Sequence, residues 1–336
     1  MTSIAILIIS LGVILVGAEV FVNGIEWLGH ELNLSEGAVG SVLAAVGTAL
    51  PETIIPIIAI VFSPGNSGHE IGIGAILGAP LMLATLAMFV SGIAVLVFSH
   101  KRISSSAIVA DYSTMSRDLS FFIIIYATAM LAGAIPPHLR LGQLIIAVLM
   151  VLAYFYYVYI MLTEERDASA AKELPNFYFD RHNNFPTLRR ILLQVFLALV
   201  LIIWGANMFV GAITDVAIMY GIPAFILALI ITPIATELPE KFNSVIWISR
   251  EKDTLALGNI TGAMVFQSSL IPAIGIFLTP WQLTTGAFIS GIIALMSAGL
   301  IYYELRIKKH ISVGILLLGG VFYLAFIVLV VKGIIS

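Results

Sequence analysis

Two short phrases in the chain carry the same chemistry, Gly47-Thr48-Ala49-Leu50-Pro51-Glu52 and Ala235-Thr236-Glu237-Leu238-Pro239-Glu240, each inside a long apolar segment. An ionised carboxylate at bilayer depth is expensive, so two matched copies point to one interior polar site shared by Glu52 and Glu240. Proline lacks an amide proton and clashes with the carbonyl four residues earlier, so Pro51 and Pro239 are expected to free the carbonyls of Gly47 and Ala235. The hydroxyls of Thr48 and Thr236 add neutral oxygens beside them. A hard cation such as Ca2+ takes about six to eight oxygens at about 2.3 to 2.6 Å, and two such phrases facing each other supply oxygens of that kind.

Further candidates lie nearby. Asn259 and Gln267, eight residues apart, share a helical face and can present amide oxygens to the same site. Interhelical hydrogen bonding is the alternative for both. Their counterparts in the first half are Ala75 and Leu83, so the halves are unequal. Glu237, Glu240 and Lys241 also share a face. Three carboxylates (Glu52, Glu237, Glu240) and one ammonium sum to -2, the complement of one divalent ion. Lys241 is expected either to pair with Glu237, leaving Glu52 and Glu240 for the ion, or to snorkel to the cytoplasmic surface. Glu19 and Asn207, at equivalent positions, are pathway residues or ordinary interhelical contacts.

The elements that position these residues are apolar. The 336 residues are 60% hydrophobic and 10% charged, with a mean hydropathy of +1.08, against about 25% charged in soluble domains. Segments of spanning length run near Ile4 to Val22, Val39 to Phe62, Ile71 to Phe98, Leu119 to Ala134 and Leu141 to Leu162. Five more follow, near Ile191 to Val210, Ala224 to Ile248, Leu255 to Leu278, Thr284 to Ile301 and Ile311 to Val331. The chain is therefore read as an all-α polytopic membrane protein of ten transmembrane helices. The N-terminus lacks the charged region of a signal peptide, so the first stretch is expected to persist as a helix.

Lys and Arg alternate in a way that orients the chain. Lys101, Arg102 and Arg117, then Arg166 to Arg190, then Arg250 and Lys252, then Arg306 to Lys309 fall on one side; the other side holds Arg140 and Lys332. The positive-inside bias puts both termini outside a cell membrane.

Adding 188 lays Gly17-Ala18-Glu19 over Gly205-Ala206-Asn207 and needs no gap through Glu52 and Glu240; past a loop four residues shorter in the second copy, Gly74-Ala75-Ile76-Leu77-Gly78-Ala79 lies over Gly258-Asn259-Ile260-Thr261-Gly262-Ala263. An odd number of helices separates equivalent positions, so the copies enter the membrane from opposite sides, as in transporters with midplane substrate sites. Residues 1–162 form the first five-helix repeat, 163–188 a cytoplasmic linker and 189–336 the second repeat. The Gly-x-x-x-Gly pairs Gly74/Gly78 and Gly258/Gly262 predict close helix approach.

Other chemistries find no support. The chain has no cysteine, no zinc-ligand spacing, no P-loop and no nucleophile elbow, so it does not read as an enzyme. No nucleic-acid surface is evident. The expected partners are inorganic cations and the lipid bilayer, the chain being a monomer or weak oligomer, and no cofactor is expected beyond transported Ca2+ and Na+ or H+.

With these motifs in view, the chain resembles the cation/calcium antiporter superfamily, whose two repeats carry Gly-Thr-Ser-Leu-Pro-Glu and Gly-Asn-x-x-Gly-Ser type motifs. The resemblance covers nearly the whole chain. It implies a sodium/calcium exchanger-like fold, calcium exchange by alternating access in which two gating helices slide past a core bundle, and Glu52 and Glu240 as the central calcium-binding carboxylates. The serine that sodium/calcium exchangers place after the motif threonine is here Ala49 and Glu237, and the small polar positions of the second motifs are Ala75, Ala79 and Ala263. Gln267 looks like the glutamine of the proton/calcium branch, and Glu237 is a candidate proton carrier. The rival class is a non-transporting membrane protein whose carboxylates form a structural ion or salt-bridge site with Lys241.

Overall fold

A chain with this hydropathy must satisfy its backbone groups internally, and helices do so segment by segment. The computed structural model describes residues 2–31, 50–63, 66–164, 176–179 and 186–335, and its regular elements are helices. In chain order they are α1 (Thr2–Glu31), α2 (Leu50–Phe62), α3 (Asn66–Met82), a π turn (Leu83–Ala87), α4 (Met88–Phe98), α5 (Tyr112–Gly133), α6 (Arg140–Glu164), α7 (Leu188–Tyr220), α8 (Ala224–Ser249), α9 (Asp253–Leu278), α10 (Thr285–Lys308) and α11 (Val313–Val331). Among the described residues, eight spans are long and apolar enough to cross a membrane, and two shorter apolar helices, Pro51–Phe62 and Ala224–Ile234, accompany them. The two short ones carry or lead into the repeated phrases.

One sequence boundary shifts for a physical reason. α5 begins at Tyr112 rather than near Leu119, because Asp111 caps it by accepting hydrogen bonds from the amides of Ser113 and Thr114. α8 runs unbroken through Pro233 and Pro239, over the segment read from hydropathy. A proline removes one backbone hydrogen bond, yet a transmembrane helix tolerates that loss when its neighbours are close.

α1 and α7 pack along their lengths as a pair. A Cβ on Gly17 would meet Ile202 Cγ1 at 2.8 Å, and one on Gly205 would meet Ile14 Cγ1 at 2.9 Å. These are the same contact seen from the two repeats, since Gly17 and Gly205, and Ile14 and Ile202, are equivalent positions. Low numbers on one helix face high numbers on the other, so the pair is antiparallel about a pseudo-two-fold axis. At one end a linker peptide crosses the pair. Asn23 Nδ2 donates to the Asn176 carbonyl (3.1 Å), the Tyr178 amide donates to Asn23 Oδ1 (3.2 Å), and the Phe179 amide donates to Gln194 Oε1 (3.1 Å). Phe177 is buried there against Trp27 and Ile191.

The pair leans on α2 through Ile14, Ile55, Ile202 and Phe209. α2, α3, α8 and α9 all pack against one another, and α5, α6, α10 and α11 surround them. The π turn leaves backbone carbonyls outside the helical pattern, and Ser297 on α10 donates to that of Ala84 (2.6 Å). In the loop between α4 and α5, the buried Arg102 guanidinium grips Asp253 at the start of α9 in a bidentate pair (2.8 and 2.6 Å) and donates to the Ile248 carbonyl (3.0 Å). Removing one partner of a buried pair strands the other charge at about 3 to 5 kcal/mol. Arg102→Ala and Asp253→Ala are each expected to lower the thermal unfolding midpoint of the detergent-solubilised protein sharply, and the double variant less than the sum.

Candidate functional site

Close approach at glycines brings the motif helices together. A Cβ on Gly74 would collide with the Phe225 carbonyl, and one on Gly78 with the Leu229 carbonyl, so α3 and α8 run parallel with their backbones in contact. Gly68 faces the Ala59 carbonyl and Gly72 faces Ile60 and the Pro56 carbonyl, so α2 and α3 are antiparallel. Combining the two registers, Glu52 is level with Ala75 and Ile76 on α3, and hence with the turn of α8 from Phe225 to Leu229. The expected close approach at Gly258 and Gly262 finds no atom within 4 Å among the described residues.

Glu52 is buried at the start of α2, 6% exposed. Thr236 and Glu237, each 2% exposed, are buried on α8, and Gln267, 3% exposed, on α9. Gln267 Nε2 donates to Glu237 Oε1 at 3.3 Å, so the structure brings together two of the residues singled out by the motifs. Thr236 Oγ1 donates to the Thr232 carbonyl (3.0 Å), which uses its proton and leaves its oxygen lone pairs for a cation. Asn259 is half-buried, one turn past the first residues of α9. Gly47 and Thr48 lie outside the described residues, as do the side chains of Ala235, Glu240 and Lys241; the expected Lys241–Glu237 pair therefore falls outside them too. Among the described residues no three His, Asp or Glu side chains are grouped to hold a metal. The described candidates are thus two buried carboxylates, Glu52 on α2 and Glu237 on α8, the latter held by the Gln267 amide of α9.

Above it, where α3 and α8 begin, opens a cavity of about 400 Å3 lined by His69, Glu70, Phe225, Trp281, Gln282 and Thr284. Phe225 belongs to the wall and its carbonyl covers Gly74, so the α3–α8 crossing is the floor.

Residues 2–163 and 190–332 match the sequence model of the family described as sodium/calcium exchanger protein. The chain belongs to that family. Inner membrane protein YrbG of Escherichia coli (strain K12) is 21% identical over 321 residues, covering 94% of this chain and 93% of that protein. The fold matches the crystal structure of the H+/Ca2+ exchanger CAX with a TM-score of 0.74 at 16% identity, over 98% of this chain and 82% of that one. It matches the sodium-calcium exchanger NCX_Mj, soaked with Na+ and Sr2+, with a TM-score of 0.58 at 18% identity, over 97% of each chain. Family and apolar helices together make this a multi-pass membrane protein of the exchanger fold.

Sequence reasoning missed a further buried carboxylate. Asp118 on α5, 2% exposed, accepts from Tyr157 of α6 (2.5 Å) and from Thr261 of the second Gly-Asn motif (2.7 Å). It stood one residue outside the apolar segment as read from hydropathy, and only the capped start of α5 at Asp111 draws it inside. Through Thr261, Asp118 ties the back of α9 to the outer helices. Thr261→Val, which keeps the volume and deletes the donor, is expected to cost about 1 to 3 kcal/mol by stranding a carboxylate oxygen. Thermal unfolding checks this, with Thr261→Ser expected to stay near the parent.

Proposed function

We propose that this protein is a secondary antiporter that carries Ca2+ or a related cation across the cell membrane in exchange for Na+ or H+ by alternating access. The observation that carries this reading is the burial of Glu52 and Glu237 on motif helices that pack together, with Gln267 on Glu237. Buried carboxylates in a helical membrane protein mark ion pathways more often than scaffolding. In this reading Glu52 and Glu240 hold the cation, with Thr48, Thr236 and the carbonyls of Gly47 and Ala235 adding neutral oxygens. Glu237 with Gln267 is the place where a proton is taken up and released, since a proton cancels the charge that retains a divalent ion. Asn259 adds an amide oxygen, and Lys241 adjusts the charge of the set.

The antiparallel α1–α7 pair is the moving part and the packed set around α3, α8 and α9 the fixed one. The reciprocal contacts of Gly17 with Ile202 and Gly205 with Ile14 lock α1 to α7, so the pair moves as one unit. The two repeats are assigned to 1–162 and 189–336 with the linker 163–188 cytoplasmic and both termini outside. The cavity at His69 and Glu70 is then the outer entrance.

The test is flux in proteoliposomes loaded with Ca2+, with Na+ and pH gradients imposed separately. Movement of Ca2+ under at least one gradient is expected, and Glu52→Gln and Glu240→Gln should each abolish it. Absence of flux under both gradients, or full flux in either variant, would sink the assignment. Glu237→Gln is expected to abolish the pH-driven component selectively, measured in the same vesicles.

A further inference from the structure

Thr232 is 2% exposed, and among the described residues its Oγ1 has no hydrogen-bond partner. A threonine inside a helix usually donates back to the carbonyl one turn earlier, which satisfies the hydroxyl locally. Thr85, Thr214, Thr236 and Thr279 do so here. Thr232 does not, and its own carbonyl instead receives the Thr236 proton. A buried hydroxyl that forgoes its nearest acceptor is costly unless a ligand completes it.

Its surroundings narrow what that ligand is. Ala224, Ala228, Thr232 and Thr236 recur every four residues and form one stripe of α8. The first two pack in the same cluster as Ile55, Ile58 and Ala59 of α2, so the stripe is turned towards the helix of Glu52. The register derived from the glycine contacts puts Glu52 level with the turn of α8 ending at Leu229, so Thr232 follows it within about one turn. On α9, Gln267 Oε1 is likewise buried and without a partner among the described residues. Two unspent neutral oxygens thus lie on α8 and α9, which pack together with the helix of Glu52. The position equivalent to Thr232 in the first half is Ala44, which offers no such oxygen.

We propose that Thr232 is a further ligand of the transported cation, a neutral oxygen one helical turn from Thr236 towards the Ala224 end of α8. This rests on the antiport reading above. A hydroxyl oxygen suits a hard, partly dehydrated ion, and supplying it from one half only makes the two sides of the site unlike. The ion entering from the cavity end of α8 meets Thr232 before it meets Thr236, so Thr232 contributes to selectivity at entry.

Thr232→Val keeps the shape and removes the hydroxyl, and Thr232→Ser keeps the hydroxyl. Initial rates of Ca2+ flux in proteoliposomes should show the half-saturating Ca2+ concentration raised about tenfold in Thr232→Val, the scale of one lost ligand interaction, with Thr232→Ser within about twofold of the parent. The rise in thermal midpoint that Ca2+ confers on the purified proteins should shrink in the same order, which reads binding even where a variant transports poorly. A Thr232→Val protein with parental half-saturation, or equal defects in both variants, would overturn the proposal while leaving antiport intact. Failure of the parent protein to move Ca2+ under either gradient would overturn the antiport reading, and this proposal with it.

Discussion

Everything about the interior follows from the cost of keeping carboxylates away from water. Glu52 and Glu237 are buried in a protein whose surroundings are hydrocarbon, so their partners have to come from neighbouring helices. That demands backbones close enough for amides, hydroxyls and carbonyls to reach a common centre. Glycine supplies the approach where it is needed: Gly74 and Gly78 let α3 lie against the carbonyls of α8, and Gly68 and Gly72 let it lie against α2. The packing of α2, α3, α8 and α9 is thus a consequence of the site as much as its scaffold.

The two halves share a plan and differ in chemistry. Their common descent is visible in space at the reciprocal Gly17–Ile202 and Gly205–Ile14 contacts. The differences concentrate in the second half, which has Glu237 where the first has Ala49 and Thr232 where the first has Ala44. Its Asn259 and Gln267 likewise replace Ala75 and Leu83. Acidic and amide side chains are therefore concentrated on α8 and α9. The structural anchors are lopsided as well. The Arg102–Asp253 clamp and the Asp118–Thr261 bond both hold α9, and the Asn23 and Gln194 amides hold a linker peptide against the α1–α7 pair.

The repeated phrases, the helical class and the family were legible in the sequence, because paired carboxylates in apolar segments are rare and their spacing fixes a helical face. The registers between helices were not. They depend on which glycine meets which carbonyl, and the Gly258/Gly262 pair, identical in pattern to Gly74/Gly78, has no comparable neighbour among the described residues. Asp118 escaped because hydropathy marks where apolar runs begin, whereas the cap at Asp111 decides where the helix begins. The docking of Asn176 to Phe179 was invisible for a similar reason: a polar linker reads as a loop until the amides that receive it are known.

The central claim is that a divalent cation and its counter-ion compete for one set of carboxylates enclosed by α2, α8 and α9. Calorimetric titration of the purified protein with CaCl2, repeated at raised Na+ and at lowered pH, tests it most directly. The account predicts saturable Ca2+ binding whose apparent affinity falls as at least one of the two competitors is raised. Absence of binding, or an affinity indifferent to both, would contradict it.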